Sequence, residues 1–419
     1  MGMDPVRYLR TTLIDDGTEL HRGDVLLHDD GRWSHSNGDE DVLEEIDGRH
    51  RLVTRSLQNW HTHLAMQLNA RDFSDGFPLD RWLNEAIFPT ELRLDPQTVS
   101  IGVRAAASEL IRTGTTFAAD MYFFPEAIGP VLDEAGLRGI VAGPVTPWPP
   151  SDEGDDGTTL AHLERLLGEG PIGDGRVQYG VASHAVYTCD EETLHRGKDL
   201  ATRHDAHQMI HISETRKEVA DCHATHGVYP VEYLDSIDFL GPRTICAHAG
   251  WVKKNEIGIL AEREATVVHC PTSNMKLGTG GTLSYPVHKA AGVDVRLGTD
   301  GPASSGSGFD LRMEARVATL VQRHDHWDPT LLPAREAWQM ATKGSQDWVT
   351  WNLDDIRMRP LGRSGNRHLA HLIHNSSECL DVWVDGQALR RDGVTSSVDE
   401  RSAWGALDSA VESYYEGLE

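Results

Sequence analysis

Short apolar runs rich in Val, Ile and Ala recur along this chain, separated by longer stretches with helical spacing of apolar positions. Near the start, Tyr8 to Ile14 and Asp24 to His28 read as strands with acidic turns between them. A continuous run from Arg51 to Trp60 leads into His61-Thr62-His63. From about residue 56 to 345 the pattern alternates strand and helix. Strand-like runs start at Gly114, Gly139, Val177, Gln208, Thr244, Ala265 and Val293, and helical stretches such as Pro96 to Thr113 and Leu160 to Leu167 lie between them. With the run before His61 these make eight strands. Eight strands with intervening helices predict an α/β fold, a parallel (β/α)8 TIM-like barrel. A doubly wound open sheet is the alternative, but no Gly-rich phosphate loop follows the first strand. Past residue 346 the runs Asp347 to Trp351 and Leu380 to Gly386 return to strand character. The expected organisation is a barrel over 56–345 and a small β-sandwich domain built from both chain ends, 1–55 plus 346–419. Gly154-Asp155-Asp156-Gly157 reads as an exposed acidic loop.

Charge narrows the class. The formal net charge is −26, and only seven of the 39 basic residues are Lys. That balance excludes a basic footprint for nucleic acid. Acidic excess together with scarce Lys points to a surface adapted to high salt, where carboxylates stay hydrated and their repulsion is screened. The five Cys show no Cys-x-x-Cys spacing and read as reduced thiols. Met1 to Pro5 carries no apolar signal region, and no segment approaches the ~18 apolar residues of a membrane span. The expectation is a soluble cytoplasmic enzyme acting on a small molecule, without a membrane or nucleic-acid partner and with homo-oligomerisation open.

In a barrel of this kind, reactive groups sit at the C-terminal ends of strands. Here the strand ends carry His61 and His63, then His184, His211 with Glu214 three residues on, His248, His269 and Asp300. Residues i and i+2 of a strand share a face, so His61 and His63 can hold one ion from a rigid element. Imidazole nitrogens with one carboxylate suit Zn²⁺, with Fe²⁺ or Mn²⁺ also compatible. Taken singly, each has an ordinary reading. His184 would be a loop histidine, His269 would shape the turn before Cys270-Pro271, and Asp300 would be a turn residue before Gly301. Together they are better explained by one site.

These pieces resemble the amidohydrolase superfamily, in its branch of adenosine-type deaminases and triazine hydrolases. The matching elements are His61-Thr62-His63, His211-Ile212-Ser213-Glu214-Thr215, His248, Asn274 within Pro271 to Gly278, and Gly298-Thr299-Asp300-Gly301. The resemblance implies that His61, His63, His211 and Asp300 bind one divalent metal. It further implies that Glu214 shuttles protons, and that His248 and Asp300 orient the hydrolytic water. Binuclear members usually bridge their metals with a carboxylated lysine after the fourth strand. No Lys occurs before Lys198, and His184 stands at that position. One metal is therefore expected.

The chain is also similar to the methylthioadenosine/S-adenosylhomocysteine deaminase subgroup, through Arg81-Trp82-Leu83, Phe88-Pro89-Thr90-Glu91 and Ala182-Ser183-His184. The similarity implies that Trp82 packs on the nucleoside, Glu91 accepts from ribose hydroxyls, and His184 contacts the purine, with Asn274 added to the substrate set. Two departures stand out. The third strand continues as Ala142 to Pro147 without the arginine that would hold an amino-acid carboxylate, and the stretch around Ser345 to Asp347 is short. The expected activity is hydrolytic deamination of adenosine, 5′-deoxyadenosine or methylthioadenosine, with S-adenosylhomocysteine disfavoured. Alternatives are a free-base, pterin or s-triazine aminohydrolase or chlorohydrolase, and a metal-binding barrel without catalysis.

Overall fold

The computed structural model describes residues 4–69, 73, 75–145, 160–361 and 366–415. Eight parallel strands form one sheet in strict sequence order: Leu57–Thr62, Thr115–Met121, Arg138–Pro144, Val177–Ala185, Gln208–Ile212, Thr244–His248, Thr266–His269 and Asp294–Leu297. They are the expected eight. The barrel closes where the last strand meets the first. Asp300 N–H donates to His61 O at 3.0 Å, and the Asn59 amide exchanges hydrogen bonds with Thr299 at 2.7 and 3.0 Å. The seam is thus made by residues flanking the predicted metal ligands.

Local chemistry sets the helices between these strands. Pro96–Arg112 begins with Asp95 accepting from Thr98 N–H and with Pro at its first position, where no amide hydrogen is needed. Glu191–Arg203 and Arg216–His226 are capped the same way by Asp190 and Thr215. Ala119, Met121, Ile140, Ala142, Ala182, Met209, Ile245 and Val268 fill one buried cluster within the sheet. The helices bury their apolar faces against its outside.

Strands from both chain ends form a second, nine-stranded sheet. Arg51–Arg55 pairs in parallel with Val6–Asp15 and antiparallel with Trp348–Asn352. Its core gathers Tyr8, Ile14, Val25, Val53, Trp348 and Trp383. The run from Arg51 to Trp60, which reads as one strand in the sequence, is divided at Ser56. The Ser56 hydroxyl contacts those of Thr116 and Ser345, each at 2.6 Å, and its N–H donates to Asp347 O. These bonds turn the chain from one sheet into the other. The short stretch at Ser345 to Asp347 is the return crossing, from the helix Ala334–Thr342 straight into Trp348–Asn352.

The C-terminal helix Glu400–Tyr414 lies on the barrel helix Pro96–Arg112. Trp404 Nε1 donates to Ser108 Oγ at 3.0 Å, and Arg112 pairs with Glu400 at 3.0 Å. All five cysteines are buried free thiols. Among the described residues, no helix is long and apolar enough to cross a membrane. The acidic loop Gly154 to Gly157 lies outside the described residues.

Candidate active site

His61, His63, His211, His248 and Asp300 converge at the C-terminal mouth of the barrel, and all are buried. His63 Nδ1 donates to Met121 O at 2.7 Å, and His211 Nδ1 donates to His184 O at 2.8 Å. With those hydrogens committed to backbone carbonyls, each Nε2 turns a lone pair inward. The two Nε2 atoms lie 3.4 Å apart, and Asp300 Oδ1 is 3.3 Å from that of His63 and 3.7 Å from that of His61. Neither ring nitrogen of His61 has a hydrogen-bond partner. Acceptors facing acceptors in a buried space repel unless a cation lies between them. The donor set therefore fits a divalent metal ion, and imidazole with carboxylate fits zinc chemistry among others.

Electrostatics agree. Burial pushes the His61 and His211 imidazoles well below their usual range, which keeps them neutral and able to ligate. Burial opposes the charge of Asp300, but His61, His63 and His248 around it hold the carboxyl below the usual carboxylate range. Asp300 is further fixed by Ser273 Oγ at 2.7 Å and Gly301 N–H at 2.6 Å.

Glu214 and His248 face the same space. Glu214 Oε2 is 3.8 Å from His248 Nε2, and Asp300 Oδ2 is 3.9 Å from it. Burial, then the charge of Asp300, raises the Glu214 carboxyl well above its usual value. Asn274 lies behind His248, its Oδ1 accepting from Nδ1 at 2.8 Å, and is not among the residues lining the cavity. His269 is buried away from the cavity wall.

A partly open cavity runs outward from these groups, mostly apolar with a few converging polar groups, as small-molecule sites are. Trp82, Glu91 and His184 all line it. Trp82 is on the short helix Leu79–Trp82, and Glu91 ends Phe88–Glu91. Burial pushes the Glu91 carboxyl up to about 8, partly offset by a hydrogen bond from the Tyr122 hydroxyl. His184 is held through Nδ1 by Thr188 Oγ1 at 2.8 Å, and burial lowers it to about 3. Most of the remaining wall is apolar, including Met66, Leu83, Phe88, Phe123, Pro144 and Leu277.

Two structural contributors escaped the sequence reading. Tyr122 follows the second barrel strand and reaches Glu91, a contact with no local signature. Glu218 accepts from Ser213 N–H at 2.7 Å and Glu214 N–H at 2.8 Å, fixing the backbone that carries Glu214. Thr215-Arg216-Lys217-Glu218 has the Thr-x-x-Glu spacing of a helix start, so that signal was available.

Known proteins share this plan. The profile of the amidohydrolase family matches residues 52–347. A 5′-deoxyadenosine deaminase of Methanothermobacter thermautotrophicus is 41% identical over 94% of this chain and 96% of its own length. A 5-methylthioadenosine/S-adenosylhomocysteine deaminase of Archaeoglobus fulgidus is 36% identical over 85% of this chain and 86% of its own. Among solved structures, an adenosine deaminase from Xanthomonas campestris with bound zinc superposes with a TM-score of 0.90 at 24% identity, covering 99% of both chains. With the family profile spanning both sheets' junction and every strand of the barrel, this chain belongs to the amidohydrolase family.

Proposed function

We propose that this chain is a mononuclear, metal-dependent hydrolase that deaminates an adenosine-type nucleoside and releases ammonia. The carrying observation is the buried meeting of the His63, His211 and Asp300 acceptors next to Glu214, in one cavity with Glu91. Relatives named as 5′-deoxyadenosine deaminase and as 5-methylthioadenosine/S-adenosylhomocysteine deaminase support it.

His61, His63, His211 and Asp300 would hold the ion. Zinc is the assigned metal, with iron(II) or manganese(II) the alternatives. Such an ion supplies Lewis acidity that makes water nucleophilic near neutral pH. Glu214 accepts a proton as water adds to the ring carbon bearing the amino group. It passes that proton to the adjacent ring nitrogen, then takes the proton of the added hydroxyl and delivers it to the amino group, so that ammonia leaves and a ring carbonyl remains. His248, oriented by Asn274, and Asp300 aim the water.

Trp82 offers a face for the nucleoside, His184 meets the purine, and Glu91 meets the ribose hydroxyls. Among the described residues no Arg or Lys lines the cavity. Among those residues an amino-acid carboxylate finds no cationic partner, which favours uncharged 5′ groups over S-adenosylhomocysteine. The same reading places the enzyme in the cytoplasm of a cell rich in salt, in keeping with the −26 charge, and gives it no nucleic-acid partner. Homo-oligomerisation is compatible with it.

Ammonia release and product analysis across 5′-deoxyadenosine, methylthioadenosine, adenosine, S-adenosylhomocysteine, adenine, a pterin and an aminotriazine test the proposal. Adenine or the triazine matching every nucleoside would end the nucleoside assignment. Bound metal without turnover on any of them would leave a metal-binding barrel.

A further inference from the structure

Trp251 stands three residues after His248 and does not line the cavity. The strand before it, Thr244–His248, has an irregular exit. His248 and Ala249 both carry positive φ, 71° and 49°. Left-handed residues with side chains are costly and persist only where neighbouring contacts hold them. Two main-chain bonds do so here. Ala249 N–H donates to Ile212 O and Trp251 N–H donates to Ser213 O, each at 2.9 Å. They tie this exit to the turn that carries Glu214.

The indole reaches the loop that follows the seventh strand. Its Nε1 donates to Thr279 O at 2.9 Å. The ring lies against Gly280 and Gly281: a Cβ at Gly280 would stand 3.3 Å from it, and one at Gly281 would collide with Nε1. Thr279 in turn bonds twice to Asn274 O, through its N–H at 3.0 Å and its hydroxyl at 3.3 Å. Asn274 Oδ1 accepts from His248 Nδ1 at 2.8 Å, and Asn274 Nδ2 has no partner among the described residues. The Asn274 amide therefore stands where its main chain puts it. Its helix, Pro271–Lys276, is only six residues long and has little stiffness of its own. The bonds from Thr279, itself held by Trp251, supply what the helix lacks. Trp251, Thr279, Asn274 and His248 thus form a closed circuit around the back of the His248 ring.

We propose that Trp251 is a positioning residue for His248, acting through Thr279 and Asn274 to keep His248 Nε2 turned toward the space it shares with Glu214 and Asp300. The inference rests on the reading that His248 aims the attacking water. Without the indole bond the Thr279 loop loosens, Asn274 shifts and the imidazole loses its set direction. That loss falls on the reaction step, so it is the same for every nucleoside and spares substrate binding. His61, His63, His211 and Asp300 are not members of the circuit, so the ion stays.

The experiment uses the full-length, metal-loaded enzyme with 5′-deoxyadenosine and adenosine. Trp251→Phe keeps a ring against the glycines and removes one hydrogen bond, so kcat should fall about 3- to 10-fold on both substrates. KM should stay within about two-fold of the parent and metal content should be unchanged. Gly281→Ala reaches the same contact from the other side, by pushing the indole off Thr279, and should reproduce the kcat loss; it carries the test if the Phe variant fails to fold. In an Asn274→Ala background, Trp251→Phe should have no further effect, because the two residues act through one path. Parental kcat, a loss confined to KM, a loss of metal, or an additive effect on Asn274→Ala would overturn the inference alone. Near-parental turnover in His248→Gln would instead overturn the reading of His248 on which it rests.

Discussion

Glu214 Oε2 and His248 Nε2 stand 3.8 Å apart across the floor of the cavity. That is too long for a direct hydrogen bond and suits two groups that address one small molecule between them. Glu214→Gln keeps the size and the backbone contacts to Glu218 but cannot carry a proton. Its metal content should match the parent, and kcat should fall by roughly 100-fold or more. Near-parental turnover would remove Glu214 from the mechanism.

The ion follows from the converging acceptors. Protein purified without added metal should contain about one divalent ion per chain by elemental analysis. His63→Ala and Asp300→Ala should lose both the ion and the activity. Two tightly held ions per chain would refute the mononuclear site.

Substrate choice tests Glu91. A free base leaves this buried carboxyl without the partners that ribose would supply. Such a loss costs on the order of a few kcal/mol, so nucleosides should exceed adenine by about 100-fold or more in kcat/KM. Glu91→Ala should narrow that gap mainly by slowing the nucleoside.

Stability should respond to pH through buried carboxyls. Glu314 is pushed up to about 8 by burial, although Thr272 N–H donates to it at 2.8 Å. Its carboxyl is raised on folding, so from the unfolded value near 4.5 up to about 8 the folded state holds the extra proton. Stability from this group therefore falls as pH rises through that window. Glu314→Gln lacks the loss. Its melting temperature relative to the parent should climb between pH 5 and 8 and level off above. A pH-independent difference would show that Glu314 does not hold its proton in the folded chain.

Salt should stabilise the fold. With a net charge of −26, self-repulsion costs most in dilute buffer. The melting temperature should rise with KCl well beyond ~0.15 M, where simple screening is already substantial. A flat profile to molar salt would make the acidic surface a matter of solubility alone.

The barrel was legible because short apolar, strand-like runs alternate with helical stretches, a local signal repeated eight times. The candidate histidines and Asp300 were legible for the same reason, since they follow successive strands, and the resemblance to amidohydrolases is what singled out His61, His63, His211 and Asp300 as ligands. The boundary between the two sheets was expected between residues 55 and 56, but the contacts that bend the chain there were hidden. Nothing near it in the chain interrupts the run, and the groups that split it, Thr116, Ser345 and Asp347, are distant in sequence. Tyr122 was invisible likewise, because its meeting with Glu91 joins segments far apart in the chain. Asn274 could be expected near the site, but only the geometry puts it behind His248.

Met121 and His184 each face the cavity with a side chain while lending a carbonyl to an inward-pointing histidine. The two services are separable, because a main-chain oxygen survives any side-chain replacement. Changing His184 to Ala or Asn should alter which ring is accepted and leave metal content intact. Two of the inward-pointing histidines take their orientation from the backbone of neighbouring strands, which leaves the adjoining side chains free to be rewritten.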